Sequence, residues 1–300
     1  MRILITGASG FIGLHLLSKL VLTNHQILVI SRNQSFLRSM PDNNNLIGIL
    51  ADLNSLDNVR HSFKFFDPQI VCHLAWQGIP NFSDENCKLN LENSINLCDI
   101  ITKSKSCQKV IMSGTCAEYG KINGKCLESD EIQINTTFAW AKYTLYQYAK
   151  LKLQERNVSF FWFRLFYVYG PGQRRSALIP SLTTSILNNQ VPSINSPENC
   201  NDFVYVDDVI DAIVTCIETQ SSRSGLYNIG SGIPTKIKKV YTEVANSLDK
   251  DYCNKIISKR QEQNLVNFWA DISKIRKHLN WVPTTSLSDG IRKYHRTITE

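Results

Sequence analysis

Met1-Arg-Ile-Leu-Ile-Thr-Gly-Ala-Ser-Gly-Phe-Ile-Gly13 opens the chain, and its reading decides the fold. The apolar run Ile3 to Ile5 reads as a buried strand. The segment carrying Phe11, Ile12, Leu16, Leu17 and Leu20 has the period of a helix. Three glycines join the two. Gly7 permits a tight turn, Gly10 lets the backbone approach a pyrophosphate, and Gly13 allows close helix packing, while free N–H groups at the helix start face the anion. A glycine triplet alone is a weak signal. Placed between a strand and a helix it predicts a phosphate-holding turn, with a ligand-free Gly-rich turn as the alternative.

The remainder of the first half repeats this alternation. Strands are expected over 2–6, 26–30, 46–51, 69–74, 109–113 and 159–165, with the clearest helices over 90–101 and 139–154. That is the pattern of an α/β fold with a Rossmann-type doubly wound parallel sheet. From about Tyr169 the texture changes to Gly-Pro-Gly and mixed segments punctuated by Pro180, Pro192, Pro197 and Pro234, which reads as a smaller C-terminal substrate-binding lobe. The expected division is an NAD(P)-binding domain over 1–168, with returning segments near 202–217 and 225–230, and a mainly substrate-binding lobe over 169–300.

Composition narrows the classes. With 300 residues, 43% of them hydrophobic, the chain can bury one large core or two modest ones. Its nine cysteines form no C-x-x-C pair, so they read as small hydrophobes of a reducing compartment, with neither a disulfide framework nor a metal site expected. The apolar runs are too short to span a bilayer, and a nucleotide turn at the first residues leaves no room for a signal peptide, so no membrane partner and a cytoplasmic location are expected. A formal charge of +7 suits an anionic substrate or a solvated surface equally. No basic block carries interleaved aromatics, so nucleic acid is not an expected partner.

After the second expected strand the chain reads Ile30-Ser-Arg-Asn33, where an acid would bond both hydroxyls of an unphosphorylated ribose. No acid is present. Ser31 and Arg32 instead suit a 2′-phosphate, which favours NADP(H) and leaves NAD(H) as the alternative; a plain surface arginine is the structural reading of Arg32. Ala51-Asp52-Leu53 ends the third strand where an adenine would lie, and His73-Leu74-Ala75 ends the fourth along the same crevice.

Several motifs together carry a family likeness. Thr6-Gly-Ala-Ser-Gly-Phe-Ile-Gly13, Ala51-Asp52-Leu53, Cys72-His-Leu-Ala75, Ser113-Gly-Thr-Cys-Ala-Glu-Tyr-Gly120, Arg164-Leu-Phe-Tyr-Val-Tyr-Gly-Pro-Gly172, Asp202-Phe-Val-Tyr-Val-Asp-Asp208 and Tyr227-Asn-Ile-Gly-Ser-Gly232 resemble the extended short-chain dehydrogenase/reductases. That group, the NAD-dependent epimerase/dehydratase family, includes nucleotide-sugar epimerases, dehydratases and 4-ketoreductases, and the likeness runs from Met1 to about Arg292. It implies an NAD(P)-dependent oxidoreductase acting on a nucleotide sugar, and a homodimer. The implied cofactor contacts are Gly7, Ser9, Gly10, Phe11, Ile12, Gly13, Ser31, Arg32, Asp52, Leu53, Leu74, Ala75 and Lys142. Trp76 and Thr115 are implied on the substrate side.

In the family a Ser or Thr hydroxyl, a Tyr and a Lys four residues later handle the proton. Thr115 matches the hydroxyl; its structural alternative is a capping threonine at a strand end. A Tyr-x-x-x-Lys pattern exists at Tyr146 and Lys150, but measured from Thr115 and Arg164 the family positions fall on Phe138 and Lys142. Tyr146 lies eight residues further along the same helix, about 12 Å by helical rise, too far to substitute. Phe138 therefore stands where the resemblance expects the general acid. Thr115 and Lys142, or a water that Lys142 orders, are left to handle the proton, with Tyr119 and Tyr143 in reserve.

The family also carries an arginine immediately before its Asp-Phe-x-x-Val-Asp-Asp segment, where this chain has Asn201. Arg174, Arg175 and Arg260 are the candidates to meet a substrate diphosphate, each with a solvated surface charge as its alternative. Asp207 and Asp208 read as helix-starting carboxylates. The expected function is NADP(H)-dependent reduction of a nucleotide-linked 4-keto-6-deoxy sugar. The alternatives are an NAD(P)-dependent nucleotide-sugar epimerase and a catalytically impaired nucleotide-binding member.

Overall fold

The computed structural model describes residues 1–121, 123–194, 196–219, 223–249, 257–258 and 266–299. Seven strands form one sheet: β1 (Arg2–Thr6), β2 (Gln26–Ser31), β3 (Leu46–Leu50), β4 (Ile70–His73), β5 (Lys109–Thr115), β6 (Ser159–Leu165) and β7 (Gly225–Ile229). Their order is β7-β6-β5-β4-β1-β2-β3. β1 lies between β2 and β4 and runs parallel to both, with Ile3 opposite Ile27 on one side and Ile70 on the other. β2–β3 and β4–β5 are parallel as well. The strand order reverses beside β1, which opens a crevice at the carboxyl ends of β1 and β4, the position where such sheets take ligands.

The strands form where apolar residues run without alternation. Ile3, Leu4, Ile5, Leu28, Val29, Val71 and Cys72 are all fully buried, as a parallel sheet covered on both faces requires. Between strands run α1 (Phe11–Leu20), α2 (Gln34–Arg38), α3 (Leu56–Phe66), α4 (Asp84–Ile101) and α5 (Thr137–Gln154), and α4 packs along α5. The aromatic run in β6 is core, as its sequence suggests: Phe160 to Phe163 are all buried. The α/β, Rossmann-type fold expected from the sequence is the observed one.

The chain divides into two compact units. The first holds 1–120, 131–164 and 210–227, and the second holds 121–130, 165–209 and 228–300. The sequence division differs from this at 165–168, 202–209 and 228–230, which belong to the second unit, and in one more instructive place. Segment 121–130 belongs to the second unit because the strand Gly124–Cys126 pairs in parallel with Phe268–Ala270. The returning stretch 202–217 is a short strand, Phe203–Tyr205, followed by helix α7 (Val206–Glu218), after α6 (Leu178–Leu187). Helices α8 (Ile237–Ser247), α9 (Ser273–Leu279) and α10 (Leu287–Thr299) complete the second unit.

Two buried carboxylates tie the second unit together. Asp202 accepts the backbone N–H groups of Ser231, Gly232 and Ala270 and the hydroxyl of Ser231. Asp208 accepts from the backbone and hydroxyl of Thr284 and from the backbone of Thr285, which is a structural task. Among the described residues no helix is long and apolar enough to cross a membrane.

Candidate active site

The crevice between β1 and β4 holds a cavity of about 190 Å³ within the first unit, lined by Thr6, Gly7, Ser9, Gly10, Ser31, Arg32, Asp52, Leu53 and the run Leu74 to Gln77. Gly7 sits at φ +81, and a Cβ there would stand 2.5 Å from the Ala75 nitrogen. A Cβ on Gly13 would reach 2.1 Å from the Gly7 carbonyl oxygen. These two glycines let the turn fold onto β4 and α1 onto the turn. At Gly10 a Cβ would meet only the Gly7 oxygen, at 3.3 Å, so its backbone faces open space. Gly10 caps α1 with no side-chain hydrogen bond, which leaves the first-turn N–H groups of Phe11, Ile12 and Gly13 without a helical acceptor. Phe11, Ile12 and Gly13 do not line the cavity themselves.

This donor set fits a dinucleotide. An uncapped helix start would hold a pyrophosphate, and Ser31 and Arg32 at the end of β2 would meet a ribose. The Ser31 hydroxyl oxygen accepts the Asn33 N–H at 3.1 Å and keeps its own hydrogen to donate. Arg32 is exposed and donates a hydrogen bond to the neutral side-chain oxygen of Gln77. Asn90 of α4 holds the loop that carries Gln77, accepting its N–H at 2.7 Å and donating to its carbonyl at 3.0 Å. Beneath the cavity His73 is locked between the hydroxyls of Thr6, 2.7 Å, and Ser94, 2.9 Å. Burial, reinforced by the charge of Lys142, pushes its imidazole down to about 3, so it stays neutral.

Lys142 and Phe138 both pack on Trp76 beside β5, whose last residue is Thr115. Lys142 is buried, donates to the Ser113 carbonyl at 2.8 Å and lies over the indole of Trp76, 4.0 Å from the ring centroid. Burial pushes its amine down to about 7, with Glu118 and then Cys87 pulling the other way. Phe138, one turn earlier on α5, meets Trp76 edge-on with centroids 5.6 Å apart and Phe82 at 4.4 Å. Thr115 accepts the Ala117 N–H at 3.2 Å and so caps the 3-10 helix Cys116–Tyr119; its hydroxyl hydrogen is still able to donate. Trp76 is common to this cluster and to the cavity at the glycine turn.

Glu118 and Arg164 are the site-supporting residues that sequence reasoning passes over. Glu118 is fully buried and accepts from Arg164 Nε at 2.8 Å, Trp162 Nε1 at 3.1 Å and Thr115 N at 2.8 Å. Burial pushes its carboxyl up, against the pull of Arg164 and the other donors. A signal was present, since Thr115-Cys-Ala-Glu118 has the spacing of a capping box, and that box is formed.

Tyr146 and Lys150, the second candidate pair, line a different cavity with Gln154, Asn157 and Ser159, and Tyr146 packs on Phe160 and Trp162. Tyr119 is buried with the Arg164 guanidinium over its ring, and the Tyr143 hydroxyl accepts from Gln147 at 3.2 Å. Arg174 and Arg175 are exposed on the second unit's turn ahead of α6, and Asn201 pairs with Thr235 between two short strands. Arg260 lies outside the described residues. Among the described residues no group of His, Cys, Asp or Glu is placed to hold a metal ion.

A reversed parallel sheet, a glycine turn at an uncapped helix and a buried lysine bonded to β5 together mark a Rossmann-type oxidoreductase. The chain belongs to the NAD dependent epimerase/dehydratase family, whose model matches residues 3–230. It is 26% identical to protein CapI of Staphylococcus aureus over 98% of this chain and 97% of that one. It is 27% identical to the dTDP-4-dehydro-6-deoxyglucose reductase of Escherichia coli over 99% and 97%. Among solved structures, UDP-glucuronic acid 4-epimerase from Bacillus cereus in complex with NAD superimposes with a TM-score of 0.86 at 25% identity, covering 100% of this chain and 99% of that one. The UDP-glucose 4-epimerase of Thermotoga maritima shares the fold at a TM-score of 0.86 and 24% identity, with both chains fully covered.

Proposed function

We propose that this protein uses NADP(H) to reduce the keto carbon of a nucleotide-linked 4-keto-6-deoxy sugar. The observation that carries the reading is the end of β2, where Ser31 and Arg32 line the cavity and the guanidinium is met by the neutral Gln77 rather than by an acid. That wall suits a 2′-phosphate by charge-assisted hydrogen bonds. A bound nicotinamide would supply the hydride. The protein's own task is the proton: Thr115 hydrogen-bonds the substrate oxygen and the Lys142 ammonium delivers a proton to it, directly or through one water. With its amine near 7, Lys142 is matched to proton transfer at neutral pH. The reductase among the relatives supports this reading.

A second reading, epimerisation with a retained NAD, is favoured by the epimerases among the relatives and by the NAD named in a neighbour's complex. A catalytically impaired member is the third, motivated by Phe138. Binding of NADPH and NADH, followed by nicotinamide fluorescence, tests the cofactor: Arg32→Ala weakens NADPH about tenfold or more and leaves NADH unchanged. Incubation with NADPH and a panel of 4-keto sugar nucleotides separates the reactions, as net NADPH oxidation, isomer formation without it, or neither. Phe138→Tyr, which restores a phenol one turn from Lys142, raises turnover by up to about 10²-fold. Equal turnover in Thr115→Val, Lys142→Ala and the parent protein would end the proton route. A homodimer through α4 and α5 belongs to the same proposal, since α5 leaves Trp140 and Leu151 exposed, and sedimentation equilibrium reads it.

A further inference from the structure

The Lys142 ammonium has two fixed neighbours. One N–H is engaged by the Ser113 carbonyl at 2.8 Å, and the indole face of Trp76 lies 4.0 Å away, well inside the range of a cation–π contact. Trp76 is itself held in place. The next residue, Gln77, is clamped to Asn90 through both its backbone groups, and the indole makes a T-shaped contact with Phe138, which Phe82 backs. A long, flexible side chain is thereby restrained on two sides by rigid groups. Phe138 contributes a hydrocarbon ring and no hydroxyl at this point.

We propose that Trp76 is a positioning residue for Lys142: its indole face fixes the ammonium at the end of β5 and stabilises the charged form inside a buried site. The part Lys142 plays in turnover rests on the proposed function above. The other groups facing the amine are Glu118 from the 3-10 helix, Cys87 from α4 and His73 from β4. Of those three Glu118 is ion-paired with Arg164, while His73 stays neutral and burial pushes the Cys87 thiol up. The ring's negative face acts in the same direction as Glu118, favouring the ammonium against desolvation. Removing it lowers the lysine's titration midpoint below its present value near 7.

Two readouts separate this proposal from the function it rests on. The first uses the free protein without cofactor: amines are acetylated with trace acetic anhydride across a pH series, and the Lys142 peptide is quantified by mass spectrometry. Trp76→Leu is expected to lower the Lys142 midpoint by about one pH unit, and Trp76→Phe, which keeps a weaker aromatic face and guards against a folding defect, by about half of that. Midpoints identical to the parent in both variants overturn the proposal. The second readout is the pH profile of NADPH oxidation. A basic limb that moves to lower pH in the same order supports Lys142 as the proton donor. A labelling midpoint that moves while that limb stays put upholds the placement of Lys142 by Trp76 and overturns the proton route instead.

Discussion

Glu118 offers the sharpest test of how this site is held. Its carboxylate is fully buried and is the acceptor for the Arg164 guanidinium, the Trp162 indole N–H and the Thr115 amide, at 2.8, 3.1 and 2.8 Å. Arg164 is 1% exposed and its Nη1 has no hydrogen-bond partner, so Glu118 supplies its counter-charge. Glu118→Ala leaves a buried guanidinium uncompensated and orphans two neutral donors. Removing one member of a buried pair costs about 3–5 kcal/mol, and the two N–H groups push the loss toward the top of that range. Glu118→Gln keeps an acceptor but loses the charge, and costs less, about 2–3 kcal/mol. Glu118→Leu combined with Arg164→Met removes both charges and fills the space. Its loss is smaller than the sum of the two single losses by at least about 2 kcal/mol. Urea unfolding of Glu118→Ala, Glu118→Gln, the single variants Glu118→Leu and Arg164→Met, their double variant and the parent, with slopes compared to guard against a changed unfolded state, supplies the numbers. A loss below about 1 kcal/mol for Glu118→Ala, or strict additivity in the double variant, would refute the claim that this pair supports the end of β5.

Two further outcomes follow from the same coordinates. Gly13→Ala places a methyl 2.1 Å from the Gly7 oxygen and 2.7 Å from the Ala8 Cα, both backbone, so α1 must move off the turn. The variant loses about 1–3 kcal/mol in thermal unfolding and its NADPH affinity falls; unchanged binding would mean that the turn does not hold the phosphates. His73 is held neutral in the fold at about 3 against an ordinary value near 6.5, so the unfolded chain binds one more proton between those limits. Stability contributed by this histidine is complete above about 6.5 and is lost as the pH falls from there toward 3, at up to about 1.4 kcal/mol per pH unit. His73→Gln removes that slope, and denaturation midpoints at several pH values between about 7 and 5 show whether it does.

The opening turn was legible in the sequence because everything that makes it is local. Strand period, glycine spacing and helix period fall within the first twenty residues, and the collisions a Cβ would cause are with the turn itself at Gly13 and with Leu74 and Ala75 after the adjacent strand at Gly7. Strand ends were legible for the same reason, and Ser31, Arg32, Asp52, Leu74 and Ala75 reach one cavity because parallel strands present their carboxyl ends to one side of the sheet. Tyr146 could be set aside from spacing alone, since eight residues along a helix carry a side chain both away and around the axis.

What spacing could not supply was contact between residues far apart in the chain. The pairing of Gly124–Cys126 with Phe268–Ala270 moves a first-half segment into the second unit, and no local pattern announces a short parallel pair. The spacing of Thr115 and Glu118 could mark a helix cap and no more; only the placement of β6 beside β5 turned Glu118 into the counter-charge of Arg164. Trp76 follows β4 and Lys142 lies on α5, and their meeting at 4.0 Å depends on where the sheet and α4 hold the intervening loop. The sequence alone determined a glycine turn between a strand and a helix, and a lysine preceded one turn earlier by a phenylalanine, because those are matters of residue type and spacing. The tertiary structure decided what surrounds that lysine, because burial, a carbonyl and an aromatic face act on it only once the chain has closed around it.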